Sequence, residues 1–172
     1  KLVNAGLASP EVRPYALGRI VVWRPGSDAL PLTLADLGRP EIRHIAIANP
    51  KHAPYGMRAV EALKAANVWN SVESRLVHGE NIAQTAQFVQ TGNADAGIIA
   101  LSLALAPGFA GKGSYTLIPD ELHQPLRQGF VILKHGEGKA LAAAFAAFFA
   151  GSDVRRILNR YGFSLPDNAA TR

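Results

Sequence analysis

An α/β fold is what this sequence predicts, and three observations carry it. Short apolar runs, several of them β-branched, recur along the chain. Segments with helical apolar spacing separate them, and turn-forming residues mark the joins. Strands alternating with helices imply βαβ units and a mainly parallel sheet covered on both faces. At 172 residues, 48% hydrophobic and 18% charged, the chain has apolar surface for one compact domain, or one domain and part of a second.

Lys1–Gly6 reads as the middle of a helix ending at Gly6, without a signal-peptide h-region. Such an opening is expected of a chain that begins inside a larger fold. Residues 15–23, Tyr-Ala-Leu-Gly-Arg-Ile-Val-Val-Trp, are expected to form one buried strand, which Pro25-Gly26-Ser27-Asp28 breaks. Thr33–Leu37 is a short helical turn with Thr33 as its N-cap. Ile45–Ala48 is the next strand and Asn49–Tyr55 a loop holding Pro50 and Pro54. A helix over Gly56–Ala66 follows, with Met57, Val60 and Leu63 inward.

The pattern then repeats. Arg75–Val77 is a strand, His78–Glu80 a tight turn, and Asn81–Gln90 a helix with Ile82, Thr85, Ala86 and Val89 on one face. Asn81 or Glu80 caps it and Gly92-Asn93 ends it. Ala96–Leu101 is a continuous apolar strand of the kind buried on both faces. Tyr115–Ile118 and Gly129–Leu133 are two more strands, and His135–Gly138 is a flexible join. After it, Lys139–Ala150 is a helix with Leu141, Phe145, Phe148 and Phe149 on one side. Ser152–Tyr161 is the last helix, capped by Ser152, with Val154, Ile157, Leu158 and Tyr161 inward and Gly162 as its stop.

Several function classes are excluded on composition. No run approaches the roughly 18 apolar residues of a membrane span. Zero cysteines rule out disulfides, thiolate metal sites and a cysteine nucleophile. The 18 basic residues against 13 acidic ones give a charge of +5. They are scattered singly, without interleaved aromatics, so nucleic acid is not the expected partner. His44, His52, His78, His123 and His135 stand apart, none at helical ligand spacing from another, so no metal site is expected. The phosphate loop, the His-Glu-x-x-His pair, the Gly-x-Ser-x-Gly elbow and a complete Gly-x-Gly-x-x-Gly are all missing. The expectation is a protein that is no enzyme and holds no cofactor.

What remains is a constellation of loops. Twice a strand passes through a short loop into a helix: Ile45–Ala48 into Asn49–Tyr55, and Leu76–Val77 into His78–Asn81. In a doubly wound sheet both helix starts lie at the carboxyl ends of the strands, where ligands bind. Each offers unpaired N–H donors and about half a positive charge, so two that converge suit a small multivalent anion. Capping by Asn49, Asn81 or water is the alternative.

Those loops also carry a likeness. Ala48-Asn-Pro-Lys-His-Ala-Pro-Tyr-Gly56, Gly79-Glu-Asn-Ile-Ala-Gln84 and Asn93-Ala-Asp-Ala-Gly-Ile-Ile-Ala-Leu-Ser102 resemble successive motifs of the periplasmic molybdate-binding proteins of ABC transporters. Tyr15–Val22 upstream and Leu158–Phe163 downstream fit in the same order. The resemblance implies a type II periplasmic-binding-protein-like fold that closes on molybdate or tungstate and partners a membrane permease, touching the membrane only peripherally. It implies backbone donors at Tyr55 and Ile82, with Pro54 and Asn81 at the same helix starts. Ala100 stands where some members carry a tyrosine, and Ser102, two residues on, would face the same side of an extended strand.

Relative to that family the chain is expected to lack an N-terminal half-lobe. Residues 1–18 would be a remnant of lobe I with the hinge, 19–128 the complete lobe II, and 129–172 the return hinge strand and the C-terminal helices of lobe I. Half a cage leaves a dianion solvated, so a monomer should bind weakly, and the apolar C-terminal helices should make a homo-oligomer. The competing reading is a shortened homologue outside transport, a self-associating module that binds no oxyanion.

Overall fold

The computed structural model describes residues 1–165; residues 166–172, the end of the third predicted segment, lie outside them. In chain order the strands are β1 (Arg13–Gly18), β2 (Ile20–Pro25), β3 (Ile45–Ala48), β4 (Leu76–Gly79), β5 (Ala96–Ala100), β6 (Gly113–Leu117) and β7 (Leu126–Phe130). The helices are α1 (Pro54–Ala65), α2 (Trp69–Val72), α3 (Ile82–Gln90), α4 (Leu101–Ala104), α5 (Ala140–Phe149) and α6 (Ser152–Arg160). The chain divides into two compact units, Gly18–Leu126 and a second that joins Lys1–Leu17 to the chain from Arg127.

The larger unit is built on a five-stranded sheet in the order β4-β3-β5-β2-β6. β3 pairs in parallel with β4 and β5, whereas β2 runs antiparallel to β5 and β6. The sheet is therefore mixed, not mainly parallel. The two parallel pairs belong to the units that carry α1 and α3 as crossovers. β2 enters between β5 and β6 without such a helix, and nothing local in its sequence sets its direction. Alternate residues serve opposite layers. Ile20, Val22, Ile45, Ile47 and Ile98 pack with α1, α2 and the 32–42 segment, while Val21, Trp23, Ala46 and Ile99 pack with α3 and α4. Burial on both faces is why these strands read as unbroken apolar runs.

Local structure departs from expectation in ways that have physical causes. The 15–23 run is two strands, divided at Arg19, because β1 pairs with β7 and β2 with β5 and β6. Helix α1 begins two residues early, at Pro54, and buries Gly56, Ala59, Ala62 and Leu63, leaving Met57 exposed. Its small residues set the inward face because they admit the closest approach to the sheet.

The 34–42 segment is pinned by one side chain. The Arg75 guanidinium donates to the carbonyls of Leu37, Gly38, Arg39, Ile42 and Ser71. Arg75→Ala strands these acceptors and is expected to cost about 2–4 kcal/mol, since hydrogen bonds to a charged group contribute about 1.5–3 kcal/mol each and are not additive. Urea unfolding measures it, and a loss within the error of an exposed control would refute the pinning role.

The turn at Ala35–Gly38 has Leu34, not the expected Thr33, at its cap position, and Thr33 braces it from one residue before. The Thr33 N–H and hydroxyl donate to Asp36 Oδ2 at 2.8 and 2.7 Å. The Thr33 hydroxyl, then its N–H, and more weakly Arg39 hold the Asp36 carboxyl below its ordinary 3.8. A carboxyl lowered on folding stabilises the native state above its unfolded value, and that stability is lost as pH falls through the lower folded value. A carbon-13 titration of Asp36 should inflect below pH 3.8 in the native chain and move part of the way back toward the ordinary value in Thr33→Val, which removes the hydroxyl but keeps the backbone N–H bond and Arg39.

In the smaller unit Lys1–Leu7 closes as a helical turn: Leu7 N–H donates to Leu2 O, Gly6 N–H to Val3 O, and Gly6 has φ +69°. That is the Schellman arrangement, which glycine accepts without strain. β1 and β7 form a two-stranded sheet, and Leu17 pairs with Ser164 beyond it. Tyr15, Phe130 and Phe149 pack edge to face, with centroids 4.9 Å apart for Tyr15–Phe149 and 5.3 Å for Phe130–Phe149. Phe149 is thus half-buried against these rings, whereas Leu141, Phe145 and Phe148 stay exposed. Ser152 is the first residue of α6; Gly151 holds the cap position, and Ile157 faces outward.

Candidate functional site

The carboxyl ends of β4, β3 and β5 lie side by side at one edge of the larger unit's sheet. Ala48 is in register with Gly79, so the two predicted loops leave neighbouring strands at the same level. Asn49 ties them at the base, its N–H donating to Gly79 O at 2.7 Å. Its carbonyl accepts from Ala53 N–H at 2.9 Å and its side chain from Lys51 N–H at 3.1 Å, which winds the 49–53 loop tightly. Between the loops, His52 Nε2 lies 3.0 Å from Glu80 O and 3.3 Å from the Glu80 carboxylate.

Each loop feeds a helix through a glycine that permits close contact. A Cβ on Gly56 would sit 1.9 Å from Ala48 O, and one on Gly79 would sit 2.6 Å from Thr85 Oγ1. Helix α1 opens with Ala53 at the cap position, Pro54 and Tyr55; Pro54 carries no N–H, and those of Gly56 and Met57 bond to Ala53 O. Helix α3 opens with Asn81, whose Oδ1 accepts from Gln84 N–H at 2.9 Å, while Gln84 Oε1 accepts from Glu80 N–H at 2.7 Å. This reciprocal cap leaves Ile82 and Ala83 as the first-turn donors that helix geometry gives no intrahelical partner.

Pro54, Tyr55, Asn81, Ile82, Ala100 and Ser102 all fall at this edge. Ala100 is the buried last residue of β5. Ser102 is not on an extended strand: the chain turns at Leu101 into α4, so the alternation that would put it on the side of Ala100 does not apply. The apolar run Ala96–Leu101 conceals that boundary, since periodicity cannot tell a buried strand from the turn that continues it. Sequence reasoning overlooked His52 and the spacing role of Gly56; a glycine in the first turn of a helix, where it is unfavourable, was the available signal.

Chemically the edge offers partial positive charge and backbone donors. Among the described residues no group of three His, Cys, Asp or Glu side chains could hold a metal ion, and no helix is long and apolar enough to cross a membrane. A hollow of about 250 Å³ lies elsewhere, in the smaller unit at the start of α5, lined by Ser9, Ile132, Gly138, Lys139, Ala140 and Ala143.

The fold is of the type II periplasmic-binding class. It matches the solved structure of the Azotobacter vinelandii periplasmic molybdate-binding protein with a TM-score of 0.82 and 30% identity, covering 96% of this chain and 73% of that one. Residues 1–164 match the bacterial extracellular solute-binding proteins, and the chain belongs to that family. It is 37% identical over 151 residues to the molybdate-binding protein ModA of A. vinelandii, covering 88% of this chain and 60% of that protein. To the molybdate-binding protein ModA of Rhodobacter capsulatus it is 36% identical over 167 residues, covering 95% and 64%. It therefore spans less than two thirds of the length of either relative.

Proposed function

We propose that this chain binds a tetrahedral oxyanion, molybdate or tungstate, as the periplasmic substrate-binding component of an ABC transporter, and passes it to a membrane permease. The observation that carries this reading is the pair of helix starts tied together at one sheet edge. The backbone N–H groups of Tyr55 and Ile82 donate to the anion, Pro54 and Asn81 fix the two starts, and Ala100 and Ser102 border the site from β5 and the turn after it. A doubly charged anion leaving water needs its acceptors filled by fixed donors, which aligned helix starts supply without a mobile counter-charge. The likeness to two molybdate-binding proteins supports molybdate as that anion.

Isothermal titration of the chain with sodium molybdate, against sodium sulfate, tests it. Saturable molybdate binding at least about tenfold tighter than sulfate, a difference of about 1.4 kcal/mol, is the expected result. Equal affinity, or no molybdate heat, overturns it.

A second reading, self-association through the smaller unit, is favoured by the exposed Leu141, Phe145 and Phe148.

A further inference from the structure

We propose that His52 is a positioning residue of the oxyanion site: it fixes the gap between the two helix starts, and through that gap the preference for molybdate over sulfate. The inference rests on the oxyanion reading and deepens it, because that reading names the donors but not what sets their spacing. The donors follow different loops, and two ties join those loops at different heights. At the base, where Ala48 and Gly79 are in register, Asn49 N–H donates to Gly79 O at 2.7 Å. Further out, His52 Nε2 lies 3.0 Å from Glu80 O. A carbonyl oxygen only accepts, so Nε2 carries the hydrogen and the tie needs no charge on the ring. One tie leaves the loops free to swing about it; two hold the gap.

Glu80 is the single residue between Gly79, the end of β4, and Asn81, the cap of α3. Both of its backbone groups are held, the N–H by Gln84 Oε1 at 2.7 Å and the carbonyl by His52. Gln84 lies on α3 and moves with it, whereas His52 lies on the loop before α1. The Glu80 carbonyl shares a planar trans peptide with Asn81 N–H. Holding its oxygen therefore orients the peptide that enters the cap, and Ile82 follows directly. The Glu80 carboxylate is 3.3 Å from the same nitrogen but 73% exposed, so the shorter bond to the carbonyl carries the tie. Other histidines make no such link. His123 and His135 bond to groups one and four positions away, and His44 Nδ1 stands 3.9 Å from Asp95, beyond hydrogen-bond reach. Molybdate is the larger of the two tetrahedral dianions. A gap held at its width keeps sulfate from meeting both starts at full strength, whereas a gap free to relax closes on sulfate at less cost.

Titration of the 172-residue chain with sodium molybdate, and with sodium sulfate in competition, tests this. His52→Ala should weaken molybdate binding about three- to tenfold, the effect of losing one hydrogen bond, and sulfate binding by less, so that the ratio of the two affinities falls. His52→Gln, whose amide nitrogen can reach the same carbonyl, should restore most of that ratio. In the anion-free chain the Asn81 amide resonance should shift in His52→Ala and return in His52→Gln. Thermal unfolding of each variant separates affinity from folding. An equal loss for both anions is what a merely structural tie gives, and it overturns the proposal, as does a ratio no higher in His52→Gln than in His52→Ala. So does an unchanged ratio in His52→Ala while the native chain prefers molybdate, an outcome that leaves the oxyanion reading standing. Absence of a molybdate preference in the native chain overturns both.

Discussion

Gly56→Ala should abolish molybdate binding and cost about 2–4 kcal/mol of folding stability, the upper part of the range for forcing atoms into a packed site. The reason is where the new methyl would lie: 1.9 Å from Ala48 O, 2.6 Å from Ala48 C and 3.0 Å from Pro50 N. All three are backbone atoms of β3 and its loop, so no side-chain rotation relieves the clash. The first turn of α1 must withdraw from the end of β3, carrying Pro54 and Tyr55 away from the level of Asn81 and Ile82. Gly79→Ala should do less, because one of its obstacles, Thr85 Oγ1, can rotate aside, although Thr85 N at 2.7 Å cannot. Gly108→Ala is the matched control, since nothing lies within 4 Å of the position where its Cβ would stand. Urea unfolding and molybdate titration of the three variants give the answer. A Gly56→Ala protein as stable as Gly108→Ala, with native affinity, would show that the close approach of α1 to β3 is dispensable.

The elements whose determinants lie within one turn or one strand were legible in the sequence. Asn81, one of the two residues expected to cap α3, does so, its Oδ1 accepting from Gln84 N–H. Gly6 ends the opening turn because its positive φ is a local property. β3 and β5 read as buried because both faces of the sheet are covered, which leaves no polar alternation. What stayed hidden depends on partners distant in sequence. Nothing in Tyr15–Trp23 says that its two halves join different sheets; β7 and β5 decide that, and the division falls at Arg19. Strand preference records the fit to neighbours more than an intrinsic tendency of the backbone.

The site shows the same division. Its two helix starts were visible as loops with Pro, Asn and Gly in sequence. The links that join them were not. Asn49 N–H to Gly79 O spans 30 positions and His52 to Glu80 spans 28, and both exist only because β3 and β4 pair in register. Ser102 fails for the opposite reason: a local reading extended the strand through a point where the chain has already turned into α4.

Substituting Phe145 and Phe148 together with lysine should turn a self-associating chain into a monomer. Of the large apolar side chains exposed among the described residues, Leu2, Leu7, Val12, Leu133, Leu141, Phe145, Phe148 and Ile157 all belong to the smaller unit. Helix α5 contains no charged residue and buries only Ala146. Phe145 and Phe148 are 58% and 56% exposed, so each has roughly half its surface left to bury. Complete burial of a phenylalanine contributes about 1.5–3 kcal/mol, and the remaining half about 1 kcal/mol. Two such rings on each of two copies give about 3–6 kcal/mol, a factor of roughly 10² to 10⁴ in the dissociation constant. Lysine keeps good helix propensity and adds like charges across a two-fold interface, while loss of the buried part of the two rings, including the contact of Phe145 with Phe149, should cost the fold about 1–2 kcal/mol. Sedimentation velocity over a hundredfold dilution should show a dimer giving way to monomer for the native chain, and monomer throughout for the variant. A native chain that sediments as a monomer at every concentration removes self-association and leaves oxyanion binding as the function to be tested.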